Sequence, residues 1–191
     1  LQSVIGQRNY ILTNSDQDAD SLVLSASISR EFDSGFSFNA GYAYIDAEDI
    51  SGMNSSVAES NFGNVATLNP NDLRAGTTEY QVQNRLTFRL RYRKEFFSDL
   101  TTSFSLYGVY KDGQSTTYSM SGDGLEDNNR ARRHLLYIPT SNDAAVVYDE
   151  RFDRQAFDQF IANNGLGRGQ FVARNAAGSK GSGRIDLRID Q

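Results

Sequence analysis

Residues 21–44 read SLVLSASISREFDSGFSFNAGYAY, and this stretch contains the pattern that decides the fold. In its first half Leu22, Leu24 and Ile28 recur at even positions, separated by small and mostly polar residues. Successive side chains of a β-strand point to opposite faces, so period-two alternation indicates a strand with one apolar face. A run of this length predicts a long strand rather than a helix.

The alternation restarts after a short turn that contains Gly35, with Phe36, Phe38 and Tyr42 in the new apolar row. Two alternating runs joined by a few residues that include glycine predict an antiparallel hairpin. Its strands are predicted near 21–32 and 36–46.

The same pattern recurs downstream in a second predicted hairpin, with strands near 80–97 and 101–111. Leu86, Phe88, Leu90 and Tyr92 make its first apolar row, and a further strand is predicted near 184–191. Side-chain alternation again carries these assignments.

Two long segments, 46–79 and 112–183, lack sustained alternation and are predicted to be loops. Tight turns therefore alternate with connections longer than about 12–15 residues, a length that is uncommon in compact domains. Outer-membrane β-barrels have this organisation, with short periplasmic turns and long extracellular loops. The predicted fold is all-β: an antiparallel segment of a transmembrane outer-membrane β-barrel with long extracellular loops and one short loop helix.

The predicted helix lies in the second loop, from Asp153 to Asn164. Its apolar residues, including Phe157 and Phe160, follow helical spacing, Asp153 can cap its start and Gly165 can close its end.

Five strands, or six with one near 10–13, are too few to close a membrane barrel, which needs at least about eight. The chain is therefore expected to be part of a larger barrel, or an open sheet that finds partners.

Composition excludes several functional classes. The chain has no cysteine and a net charge of −5, which argues against thiolate zinc sites and against nucleic-acid binding by phosphate neutralisation. Its one histidine, His134, follows a basic run in which neighbouring positive charge disfavours a neutral general base. We do not expect an enzyme.

Four arginines alternate with the apolar row of strand 80–97: Arg85, Arg89, Arg91 and Arg93. If the apolar row meets lipid, their guanidinium groups point into the barrel lumen. The favoured interpretation is that they pair with acidic groups of neighbouring strands or of a plug. The functional alternative is an electropositive wall that guides an anionic ligand.

Asp123, Glu126 and Asp127 offer closely spaced oxygen ligands, but the EF-hand pattern is not met. A solvated acidic turn is the default interpretation and a loop calcium site is the alternative; no other cofactor is expected.

Short segments spread along the chain, in order, match a known family. They are Asn9-Tyr10-Ile11-Leu12-Thr13-Asn14, Glu31-Phe32-Asp33-Ser34-Gly35-Phe36, Tyr42-Ala43-Tyr44, Asp46-Ala47-Glu48-Asp49, Ser56-Val57-Ala58, Ser60-Asn61-Phe62, Leu135-Leu136-Tyr137-Ile138-Pro139, Phe160-Ile161, Arg168-Gly169-Gln170, Arg174-Asn175 and Ile185-Asp186-Leu187-Arg188. In these segments the chain resembles the C-terminal barrel of TonB-dependent receptors, and most closely the Oar-type outer-membrane proteins that carry a carboxypeptidase-regulatory-like domain. Segment 178–183, rich in glycine and serine, departs from the Pro-Trp pair that the family usually has shortly before the strand corresponding to 185–189.

The resemblance implies a location in the outer membrane of a Gram-negative bacterium and uptake of a bulky nutrient energised by the TonB complex. The plug and the terminal strands would lie outside this chain. Expected partners are outer-membrane lipid, TonB through the missing plug region, and an unknown extracellular ligand met first by loops 46–79 and 112–183. The alternatives are a structural or adhesive outer-membrane barrel, and a soluble β-sandwich carbohydrate-binding module.

Overall fold

The structure is a computed structural model that describes residues 14–69, 73–121 and 133–191. The predicted strand near 10–13 lies outside these residues. The chain divides into two compact units, a sheet unit formed by 20–47, 79–115 and 178–191, and a loop unit that includes 48–78 and 116–177. The elements are, in chain order, β1 (Ser21–Glu31), β2 (Phe36–Asp49), α1 (Ala58–Gly63), β3 (Gly76–Thr77), β4 (Asn84–Phe97), β5 (Leu100–Lys111), β6 (Ser115–Thr116), β7 (Ser119–Ser121), β8 (Arg133–Leu135), β9 (Tyr137–Ile138), α2 (Arg154–Asn163), β10 (Gln170–Phe171), β11 (Ala177–Gly178) and β12 (Ser182–Asp190).

The sheet unit is built from the five long strands in the order β1-β2-β4-β5-β12, and every neighbouring pair is antiparallel. The expectation of antiparallel all-β structure is thus confirmed. Among the described strands β1 and β12 lie at opposite edges and do not pair with each other, so the sheet is open.

The strand ranges differ from the predicted ones by a few residues, most at the start of β4, which begins at Asn84 instead of 80. The Gln81 side chain explains the late start, because its Oε1 accepts the backbone N–H of Ala47 at 2.6 Å. This bond replaces a ladder bond between the strands. At the other end of the first hairpin, β2 extends to Asp49 and pairs with β3.

Strand register brings all the predicted apolar rows to the same side of the sheet. Phe38 lies opposite Leu90, Leu90 opposite Leu106, and Leu106 opposite Leu187. Directly opposed residues of an antiparallel pair share a face. We call this side the apolar face; its members are Leu22, Leu24, Ala26, Ile28, Phe36, Phe38, Ala40, Tyr42, Tyr44, Leu86, Phe88, Leu90, Tyr92, Phe104, Leu106, Gly108, Tyr110, Ile185, Leu187 and Ile189.

The other side, which we call the polar face, is made largely of serine, threonine, asparagine and charged residues. Its members in β1 and β2 include Ser25, Ser27, Ser29, Glu31, Ser37 and Asn39, and those in the other strands include Arg85, Thr87, Arg89, Arg91, Arg93, Ser103, Ser105, Tyr107, Lys111, Arg184, Asp186, Arg188 and Asp190.

The apolar face is not the core of the protein. Ile28 is 62% exposed and Leu187 is 69% exposed, and the sheet unit consists of a single layer. Monomeric soluble proteins seldom leave contiguous apolar patches larger than a few hundred Å² uncovered. A larger exposed apolar surface is typical of a face that contacts a membrane, a ligand or another protein.

The buried apolar core lies in the loop unit, where Ile138, Ile161 and Val172 pack together. Ile161 comes from α2, whose predicted existence is confirmed. Asp153 caps the helix by accepting the backbone N–H of Ala156 at 2.9 Å. Oxygen caps of this kind satisfy a donor that the first turn leaves unpaired.

The structure also has a helix that the sequence did not predict, α1 in the first long segment. It has only six residues, and Val57 at its start provides no side-chain cap. Without a cap or helical apolar spacing, the sequence carried no local signal for it.

Arg174 and Asn175 hold the short strand β3 within the loop unit. The Arg174 guanidinium forms an ion pair with Asp49 at 2.6 Å and donates to the carbonyl oxygen of Gly76 at 3.4 Å. Asn175 donates to the carbonyl oxygen of Thr77 at 2.7 Å. These two adjacent residues therefore tie the second long segment to the first.

Neither helix is long or apolar enough to cross a membrane, a finding that covers the described residues.

Replacing Gly35 by alanine should destabilise the first hairpin. Gly35 has φ +82°, and an added Cβ would lie 2.2 Å from the Arg93 carbonyl oxygen, which is backbone and cannot swing away. The left-handed conformation alone costs about 1–2 kcal/mol for a residue with a Cβ. Urea unfolding followed by circular dichroism should show at least this loss for Gly35→Ala and little change for Ser34→Ala. Equal stability of the two variants would contradict the assigned turn.

Candidate functional site

The candidate site is the arginine ladder on the polar face of β4, which the register places where the sequence predicted. Arg89 lies between Asn39 of β2 and Tyr107 of β5, and Arg91 lies between Ser37 and Ser105. Side chains on the same face of a strand repeat about every 6.6 Å, so successive guanidinium groups can act on one extended anion.

Most neighbours of these guanidinium groups are small. The β2 residues opposite the ladder are alanine, asparagine and serine, and those on β5 are two serines and the larger tyrosine and lysine. Arg85, Arg89 and Arg93 are exposed, while Arg91 is half-buried and lies 3.5 Å from the Ser105 hydroxyl oxygen through its Nε. The site is a shallow basic strip rather than an enclosed pocket.

The favoured interpretation, pairing with acidic groups of neighbouring strands, finds no support within the described residues. No carboxylate there forms an ion pair with any of the four arginines. On β12, two strands from β4, Asp186 already pairs with Arg184 at 2.8 Å and Asp190 with Arg188 at 2.6 Å. Pairing with a plug stays a prediction.

Charge on the polar face is opposite in sign to that of the chain. The chain carries −5, but basic side chains outnumber acidic ones on this face. A surface lined by one sign of charge raises the local concentration of the opposite ion. The strip is therefore suited to hold or guide an anion.

At the loop end of the apolar face, sequence reasoning missed a hydrogen-bond network. The Tyr42 hydroxyl donates to Asn84 Oδ1 at 2.6 Å, and Asn84 Nδ2 donates to Asp112 Oδ2 at 2.5 Å. The Tyr110 hydroxyl donates to the other oxygen of Asp112 at 3.5 Å. The only sequence signal was Asn84 at the position where the apolar row of β4 begins, and its partners follow from register.

In the loop unit a tyrosine and an aspartate form a titratable pair with shifted pKa values. The Tyr137 hydroxyl donates to Asp143 Oδ2 at 2.7 Å. This bond raises the pKa of Tyr137, and it lowers the pKa of Asp143 together with the backbone N–H of Ala145. Because the bond needs a neutral phenol and an ionised carboxylate, both shifts widen the pH range over which it persists.

The remaining candidates form no site in the described chain. His134 is buried in β8, opposite Met120 of β7. The candidate calcium ligands Asp123, Glu126 and Asp127 lie outside the described residues. Within the described ranges no group of three acidic, histidine or cysteine side chains is placed to hold a metal.

No protein-family model, curated protein or solved structure matches this chain. The assignment of the site therefore depends on its geometry and charge.

Replacing Arg89 and Arg91 by glutamine should weaken binding of an anionic probe. Exposed charge contacts contribute about 0.2–1 kcal/mol each, so titration calorimetry with tripolyphosphate should show an affinity about 2- to 30-fold lower. The difference should shrink at high salt. The matched control, Arg151→Gln with Arg154→Gln, removes the same charge from the loop unit. An equal loss in both double variants would rule out a specific role for the ladder.

Proposed function

We propose that the five-stranded sheet is part of a transmembrane outer-membrane β-barrel, with the apolar face against lipid and the polar face toward the lumen. The observation that carries this proposal is that five strands place their apolar rows on one side in register while leaving that side exposed. Membrane strands alternate apolar-out and polar-in in this manner.

The arginine ladder supports the same orientation. An arginine facing lipid near the middle of the membrane costs about 2–4 kcal/mol. The face of β4 that carries the four arginines must therefore point into the lumen. A slip of one residue would move the whole ladder into lipid.

Strand dimensions fit the membrane. The apolar row of β2 from Phe36 to Tyr44 spans about 26 Å along the strand, or about 20 Å along the membrane normal at a tilt near 40°. The full 14 residues of β4 reach about 33 Å at the same tilt, beyond the apolar band of roughly 25 Å. Aromatic residues at both ends of the β2 row suit the two interfaces.

For the whole protein we propose a TonB-dependent receptor of the Oar type that imports a bulky nutrient. The resemblance in sequence supports this assignment. The loop unit adds support, because its packed core around Ile138 and Ile161 gives the two long segments a folded surface for a ligand. The basic strip would then guide an anionic group inside the lumen.

Arginine substitutions on the two faces test the barrel. Ile28→Arg places a charge on the apolar face, and Ser27→Arg, at the preceding position of β1, places it on the polar face opposite the uncharged Gly41. We expect Ile28→Arg to reduce the membrane-inserted, heat-modifiable fraction by an amount that reflects about 2–4 kcal/mol, and Ser27→Arg to have little effect. Equal behaviour of the two variants, or extraction of the unaltered protein by aqueous buffer, would instead favour the soluble β-sandwich.

The receptor assignment has a separate test in intact cells. Site-specific cross-linking should join the membrane-inserted whole protein to TonB, and should be lost when the periplasmic domain of TonB is deleted. An inserted barrel that never cross-links to TonB would favour the structural or adhesive alternative.

A further inference from the structure

Most basic residues of the sheet lie on the polar face, but two of them lie on the apolar face. Arg30 continues the apolar row of β1 and lies opposite Phe38, and Lys94 continues that of β4 and lies opposite Thr102. Both are exposed, and both lie toward the tight-turn end of the sheet. They mark the place where the apolar face meets a polar environment.

Each cation lies over an aromatic ring close to the turns. The Arg30 Cζ atom is 4.7 Å from the centre of the Phe32 ring, and the Lys94 Nζ atom is 5.6 Å from that of Phe96. These rings in turn contact the apolar face, since Phe96 meets Phe104 edge-to-face at 6.1 Å. The aromatic contacts hold the two charges at the edge of the apolar face.

Neither cation is neutralised by a carboxylate in the part of the chain that the structure describes. The opposite end of the same face carries anions, with Asp46 beside Leu22 and Asp112 bonded to Asn84. The apolar face is thus bounded by positive charge at the turns and by negative charge at the loops. Its turn end is complementary to an anionic surface.

We propose that Arg30 and Lys94, with Phe32 and Phe96, bind the phosphate of anionic phospholipid headgroups in the periplasmic leaflet. This inference rests on the proposed function, in which tight turns face the periplasm. Long cationic side chains keep their stems on apolar surface while the charge reaches the headgroups. The contact would fix the depth of these strands in the membrane.

The test measures which lipids surround the whole protein in the bilayer. The protein is inserted into phosphatidylcholine vesicles containing spin-labelled phosphatidylglycerol or spin-labelled phosphatidylcholine, and the immobilised fraction of each label is compared. We expect phosphatidylglycerol to be enriched, by up to about fivefold for each cation. Arg30→Gln with Lys94→Gln should bring the ratio close to that of phosphatidylcholine.

Two controls separate charge from its placement. Arg151→Gln with Arg154→Gln removes equal charge from the loop unit and should keep the enrichment, and Arg30→Lys with Lys94→Arg should also keep it. Two results would overturn the headgroup site. One is enrichment that persists in Arg30→Gln with Lys94→Gln. The other is an equal loss of enrichment in that variant and in the Arg151/Arg154 control. Added inorganic phosphate should not displace the labelled lipid, and displacement would show that the cations bind free anions instead.

Insertion is measured in the same vesicles by the heat-dependent shift in gel mobility. An inserted protein without phosphatidylglycerol enrichment would overturn the headgroup site and leave the barrel intact. Failure of the unaltered protein to insert into either vesicle would overturn both proposals.

Discussion

The register of the five antiparallel strands is the constraint on which the other features of the sheet depend. Side chains alternate with a period of two. A slip of one residue in β4 would therefore move Leu90 to the polar face and a neighbouring arginine to the apolar face. The tight turns set this register within each hairpin. Gly35 contributes through a backbone conformation that brings the chain against Arg93, where a Cβ would not fit.

The two units obtain their stability in different ways. In the loop unit, residues such as Ile138 and Ile161 are shielded from solvent by the protein itself. In the sheet unit, apolar side chains such as Leu187 remain largely exposed, so burial within the chain contributes little there. The sheet relies on backbone pairing and, in the proposed function, on lipid and on further strands that cover its two edges.

The charge of the sheet unit also differs from that of the whole chain. Acidic residues give the chain its net charge of −5, yet the polar face of the sheet is basic, and Arg30 and Lys94 carry positive charge to the turn end of the apolar face. Net charge alone would suggest a protein that repels anions. The positions of the basic residues on a one-layer sheet instead create two separate basic surfaces. One is proposed to face the lumen, and the other is proposed to face lipid headgroups.

The sequence by itself determined the features that depend on near neighbours: the alternating strands, the glycine-containing turn at Gly35, the helix capped by Asp153, and the ladder on one side of β4. Tertiary structure alone decided which rows share a face, where β4 begins beside Gln81, and which residues meet Asp112 or Arg174. These contacts join residues separated by long connections, and local alternation contains no information about the register between hairpins. The physical reason is that the register between distant strands depends on how well all their side chains match one another. No single segment of the sequence contains that information.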